Sequence, residues 1–160
     1  MFVDIDSRFL EPACGTGNFL VEILGRKIAL INEQAHGGTP HWYEFALLRC
    51  LASIYAIDIN EENIAESRER LQVILDAAHA LHGEPMSEGF IAAVKTILQT
   101  NIVLGDSLNN ATEIIFVEYQ ALPGEMFGRI PSHLENPEID LFYMPPEPLE
   151  TVHFSLLSKN

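Results

Sequence analysis

Three acids close three short apolar runs of this chain. Glu11 follows Arg8-Phe9-Leu10, Asp58 follows Ser53-Ile54-Tyr55-Ala56-Ile57, and Asp106 follows Asn101-Ile102-Val103-Leu104-Gly105. An ionised carboxylate only accepts hydrogen bonds. At the glycine-rich turn, Glu11 would therefore repel a pyrophosphate and suit a cationic ligand. At the end of a second strand, Asp58 could hold both hydroxyls of a ribose. Directly after the first acid comes Pro12-Ala13-Cys14-Gly15-Thr16-Gly17, then Asn18-Phe19-Leu20. Gly15 and Gly17 can take positive φ and bring backbone close to a ligand, and a helix opening near Asn18 would point its free N–H groups there. A dinucleotide fold wants a third glycine where this chain has Leu20. Together with Glu11, that disfavours a nicotinamide-dependent oxidoreductase. The plainer reading of the same residues is a strand–turn–helix junction with glycines for sterics, in which Asp58 helps Asn60 to cap the next helix.

The elements that must position these residues are legible in the apolar spacing. Arg8 to Glu11 reads as a buried strand. Phe19, Leu20, Ile23, Leu24, Ile28 and Ile31 recur at helical spacing, as do Ile64, Leu71, Ile74, Leu75, Ala78 and Leu81. The second set leaves Glu61, Glu62, Glu66, Arg68, Glu69 and Arg70 on an exposed face. Ser87 is a cap for a third such helix, with Phe90, Ile91, Val94, Ile97 and Leu98 inward. After the loop Gly37-Gly38-Thr39-Pro40, a short helix is expected from His41. Strands at Ser53–Asp58 and Asn101–Leu104 alternate with these helices, which predicts an α/β fold, a Rossmann-like parallel sheet with crossover helices. Further on, Glu113–Tyr119 has strand character, and Pro123, Gly124, Gly128 and Pro131 break the segment after it. Ile139–Tyr143 reads as a fourth strand running into Met144-Pro145-Pro146-Glu147.

The run Glu11-Pro12-Ala13-Cys14-Gly15-Thr16-Gly17-Asn18-Phe19-Leu20 resembles motif I of class I S-adenosylmethionine-dependent methyltransferases, in the wording of the N6-adenine DNA methyltransferases of restriction–modification systems. The cofactor carries a sulfonium and an ammonium and no phosphate, in keeping with the acids. The resemblance implies that Glu11, Pro12, Ala13, Cys14, Gly15, Gly17, Asn18 and Phe19 line the cofactor. It places Asp58 and Ile59 at its ribose side, and Asp106 and Ser107 beside its adenine, with Asp106 accepting from the exocyclic amine. It covers residues 8–108 well and 109–160 poorly.

In that family the fourth strand delivers Asn or Asp, two prolines and an aromatic residue, which hold and stack a flipped adenine. The matching catalytic positions are Met144, Pro145, Pro146 and Glu147, where Met144 offers only a weakly accepting thioether and Glu147 no ring. The prolines alone also fit a plain strand terminator. A small-molecule or protein methyltransferase shares the first three motifs but leaves the proline pair unexplained.

With 160 residues there is room for about four or five strands at ordinary element lengths. The first strand also begins a few residues into the chain. An incomplete class I methyltransferase fold is therefore expected, one domain over residues 1–160, without the segment that closes over the methionine end or a target-recognition domain. It reads as the cofactor-binding part of a DNA adenine-N6 methyltransferase; the alternative is a non-catalytic cofactor-binding subunit or truncated relic that needs a partner chain.

The formal charge of −14, from 23 acids against 9 bases, opposes DNA binding by this piece alone. DNA contact is thus expected only through a missing domain or a partner, such as other restriction–modification subunits. Cys14 and Cys50 give neither a disulfide framework nor metal-ligand spacing, and the six histidines read as surface residues, so no metal and a reducing cytoplasm are expected. No apolar run reaches membrane-spanning length and the start is no signal peptide.

Overall fold

The computed structural model describes residues 4–34, 39–134, 147–148 and 150–159. It is a mixed α/β arrangement. Strands β1 (Phe9–Glu11), β2 (Ile54–Asp58) and β3 (Ile102–Leu104) form a parallel sheet in the order β1-β2-β3. Parallel neighbours need crossovers. Helices α1 (Asn18–Gln34) and α2 (Pro40–Ala52) join β1 to β2, while α3 (Glu61–Ala80) and α4 (Glu88–Asn101) join β2 to β3.

Local chemistry explains where the helices begin. Thr39 accepts from the Trp42 N–H just ahead of Pro40, Asn60 accepts from Glu62, and Ser87 accepts from Phe90. Each such cap stabilises its helix by about 1 kcal/mol. The helix expected from His41 runs the full thirteen residues of α2, and it is buried along most of its length because it lies at the centre of the core.

Side-chain alternation along β2 sorts the two faces of the sheet. Ile54 and Ala56 join Leu20, Leu24, Leu47, Leu71 and Ile97, so all four helices share one core on one face. Tyr55 and Ile57 point the other way and meet Ile114 and Phe116, with Val103 and Leu134 at the margin. The expectation of a buried first strand needs correcting. Leu10 is 42% exposed, because among the described residues β1 pairs only with β2 and Leu10 stands on the face that the helices do not cover.

A second sheet lies beyond β3 in the chain. Strands β4 (Ile115–Leu122), β5 (Met126–His133) and β6 (Glu150–His153) are antiparallel in the order β4-β5-β6. The break expected from Pro123 to Pro131 is confined to the turn at Pro123, Gly124 and Glu125; Gly128 and Pro131 lie inside β5. Pro131 is tolerated there because β6 pairs only with Met126–Arg129, which leaves Pro131 no ladder to donate to on that side. Phe127, Phe154 and Leu157 enter the core of the helices, with the Phe127 ring 4.9 Å from that of Phe45. The strand expected at Ile139–Tyr143 lies outside the described residues.

Three further expectations are corrected. His79 is buried, paired through Nε2 with the buried Glu44 at 3.2 Å, and Glu44 also accepts from the Ser87 N–H and hydroxyl, tying α2 and α3 to the start of α4. Arg68 and Arg70 do not simply face water; Arg68 donates to the Ile102 carbonyl, and Arg70 reaches the glycine-rich turn. Phe19 and Ile91 are exposed rather than inward, at 68% and 50%.

Candidate functional site

The sheet brings the three acids to one edge. Glu11 pairs in register with Ala56, and Asp58 with Leu104, so Asp58 stands two residues beyond Glu11 along the strand direction and Asp106 two beyond Leu104. Two residues of parallel strand are about 6–7 Å. The acids therefore rise as a staircase across the carboxyl ends of β1, β2 and β3.

Backbone bonds carry the ladder past the strands into the loops. The Cys14 N–H donates to the Ile57 carbonyl at 2.9 Å and the Gly105 N–H to the Asp58 carbonyl at 3.0 Å. The Ser107 hydroxyl donates to the Pro12 carbonyl at 2.9 Å and closes the ring between the first and third loops.

Asp58 is the hub. One carboxylate oxygen accepts from the Gly15 N–H at 2.8 Å, and the other from the Asn60 N–H at 2.9 Å and the Asn63 side chain at 3.1 Å. Burial pushes its carboxyl pKa up, but these bonds outweigh burial and hold it below the usual carboxylate value. Asp106 accepts from Leu108 N–H, Asn109 N–H and the Asn109 side chain, which together lower its pKa. Glu11 accepts from Ala13 N–H at 3.3 Å. Glu11 and Asp106 thus shape their own loops, while Asp58 ties the second loop to the glycine turn. The cap of α3 is Asn60, and Asp58 takes the Asn60 N–H and the Asn63 side chain rather than a first-turn amide of that helix.

The two glycines of the turn differ. Both have positive φ, 54° at Gly15 and 83° at Gly17. A Cβ on Gly15 would meet nothing within 4 Å, whereas one on Gly17 would lie 2.8 Å from the Ser67 hydroxyl. Gly15 leaves open space beside the turn; Gly17 lets α1 and α3 pack. Leu20, where a third glycine would stand, is fully buried.

Around these loops the large apolar side chains of Phe19, Ile59 and Leu108 are exposed at 68%, 76% and 91%. A cavity of about 330 Å³ touches Leu104, Gly105 and Asp106, with Ile114 and Ile115 behind, but not Glu11 or Asp58. Cys14 belongs to the turn and is buried there. Burial pushes its thiol pKa up, partly offset by Ser67, and burial likewise pushes Cys50 up to about 12.

The structure thus brings together Glu11, Pro12, Ala13, Cys14, Gly15, Gly17, Asn18, Phe19, Asp58, Ile59, Asp106 and Ser107 on one edge. Met144, Pro145 and Pro146 lie outside the described residues, and Glu147 is exposed. Sequence reasoning missed Ser67, Arg70 and Asn63, which reach the site from α3. Ser67 carried a usable signal: it falls on the stripe of Ile64 and Leu71, where a small polar residue needs a buried partner.

Among the described residues no group of three His, Cys, Asp or Glu could hold a metal ion, and no helix is long and apolar enough to cross a membrane. Comparison with protein-family models, curated proteins and solved structures finds no match.

Proposed function

We propose that this chain is the S-adenosylmethionine-binding part of a DNA adenine-N6 methyltransferase of the restriction–modification type. The observation that carries the reading is the acid staircase with the glycine turn beside it, at the carboxyl ends of adjacent parallel strands, where open α/β sheets bind ligands. Space beside Gly15 and the exposed Phe19 and Ile59 suit a nucleoside whose flat faces can pack on apolar side chains. In this reading Asp58 accepts from the ribose hydroxyls, Asp106 and Ser107 lie at the adenine, and Glu11 faces the cationic end. When bound, the cofactor would supply the methyl group.

A second reading, a non-catalytic cofactor-binding subunit or relic, is favoured by the residue types Met144 and Glu147 at the expected catalytic positions, flanking Pro145 and Pro146. The charge of −14 disfavours duplex contact by this chain alone and so supports a partner subunit or further domain for that role in either reading. Two free buried thiols accord with a reducing cytoplasm.

Titration calorimetry with S-adenosylmethionine, its demethylated product S-adenosylhomocysteine and NAD tests the cofactor. The first two should bind more tightly than NAD, and Asp58→Ala should weaken them by about 1.5–3 kcal/mol, with a smaller effect from Asp106→Ala. Tighter NAD binding would end the methyltransferase reading. Radiolabelled methyl transfer to mixed-sequence DNA should fail for the chain alone; transfer by the unaided chain would overturn the second reading.

A further inference from the structure

The glycine-rich turn is gripped by a helix that lies elsewhere in the sequence. Ser67, fully buried on α3, donates its hydroxyl to the Gly15 carbonyl at 3.0 Å and sits 3.8 Å from the Cys14 sulfur. One turn further along α3, the Arg70 guanidinium donates to the Thr16 carbonyl at 2.6 Å and to Asn18 Oδ1 at 2.8 Å. Two successive carbonyls of the turn are therefore pulled toward α3, while Asp58 holds the Gly15 N–H from the sheet.

A trans peptide points its N–H opposite its carbonyl. Fixing the Gly15 carbonyl on Ser67 turns the Thr16 N–H away from α3, and that N–H has no partner among the described residues. The Gly17 N–H, by contrast, is spent inside the turn on the Cys14 carbonyl at 3.0 Å. Gly17 must lack a side chain because Ser67 occupies the space a Cβ would need. The residues at 15, 16, 17, 67 and 70 form one device.

We propose that Ser67 and Arg70 are positioning residues of the cofactor site, which clamp the turn from α3 so that the Thr16 N–H is presented as a ligand-facing donor. The ligand's identity rests on the cofactor reading above; the clamp itself does not. Ser67 sets the direction of the first peptide. Arg70 stops the second from rotating and ties the turn to the first residue of α1, so the N-terminus of that helix keeps its aim.

Ser67→Ala and Arg70→Met remove the donors while keeping shape and stem, and Arg70→Lys restores one donor. Each of the first two should weaken S-adenosylhomocysteine binding by about tenfold, the scale of one hydrogen bond, and Arg70→Lys should recover most of the loss. Without ligand, hydrogen exchange at the Gly15 and Gly17 amides, which are bonded to Asp58 and to the Cys14 carbonyl, should speed up in Ser67→Ala and Arg70→Met and return toward wild type in Arg70→Lys, with global melting little changed. If the wild type itself binds no S-adenosylhomocysteine, the cofactor reading falls, and faster exchange at these amides still upholds the clamp. Unchanged exchange at Gly15 and Gly17 in both variants overturns it. So does an affinity loss that only tracks the melting temperature, with Arg70→Lys no better than Arg70→Met.

Discussion

The two sheets of this molecule are built in opposite ways. In the parallel sheet β1 and β3 have three residues each and β2 has five, and the ladder continues into loops through Cys14, Gly105 and the Asp58 carboxylate. In the antiparallel sheet β4 and β5 have eight residues each, paired from end to end across a tight turn. Short strands stop early, and their loops must be held by side chains from other elements; long hairpin strands hold themselves. Among the described residues the acids and turn groups that could meet a ligand at the staircase lie in the first kind of structure, and β4 only backs the cavity at Asp106 with Ile115. The antiparallel sheet contributes Phe127, with Phe154 and Leu157 just beyond β6, to a core that the helices cannot close alone.

The strongest test of that division is Phe127→Ala. Phe127 is fully buried and packs against Phe45 of α2 and Tyr119 of β4. Its truncation should cost about 3–5 kcal/mol, and because the core is common, one cooperative transition should shift for both sheets. Loss of amide protection in β4–β6 while β1–β3 keep theirs would show that the antiparallel sheet is an appendage rather than a wall of the same core.

Two glycines sharpen the comparison at smaller cost. Gly17→Ala puts a methyl 2.8 Å from Ser67 at positive φ, and Gly128→Ala puts one 2.6 Å from Pro148 in an ordinary strand conformation. Each should destabilise by about 1–3 kcal/mol. Only the first should also weaken cofactor binding by the molecules that stay folded, as calorimetry below the melting transition would show. Equal loss of affinity in both would mean that the site depends on the core as a whole rather than on the turn.

Legibility in the sequence divides along the same line. The three short strands, the caps at Asn60 and Ser87 and the acids at strand ends are local signals, written within a few residues of one another, and they stand where the spacing puts them. The path of β5 through Gly128 and Pro131 was not legible, because only the end of β6 at Arg129 makes a proline acceptable there. Arg70 and His79 were misread for a related reason. A charge run looks like a solvated face until a turn some fifty residues away presents a bare carbonyl at 2.6 Å, and a lone histidine looks exposed until a buried Glu44 meets it.

The smallest expected effect separates the loop ties of the parallel sheet from the hairpin by pH. Asp58 is held below the usual carboxylate value in the folded chain, so the unfolded chain takes up its proton first as pH falls. Its stabilisation is complete above the unfolded value, near pH 4, and is lost as pH drops through the lower folded value. Acid should therefore loosen the Gly15 amide, which donates to Asp58, while the amides paired between β4 and β5 have no such group to lose at their ladder. Asp58→Asn keeps the oxygen that meets Asn60 and Asn63 but sets an amide against the Gly15 N–H, donor facing donor. In that variant the Gly15 amide should already be loosened at neutral pH and should respond little to further acid. A Gly15 amide that titrates identically in wild type and Asp58→Asn would place its acid response elsewhere, and would remove Asp58 as the tie between the second strand and the turn.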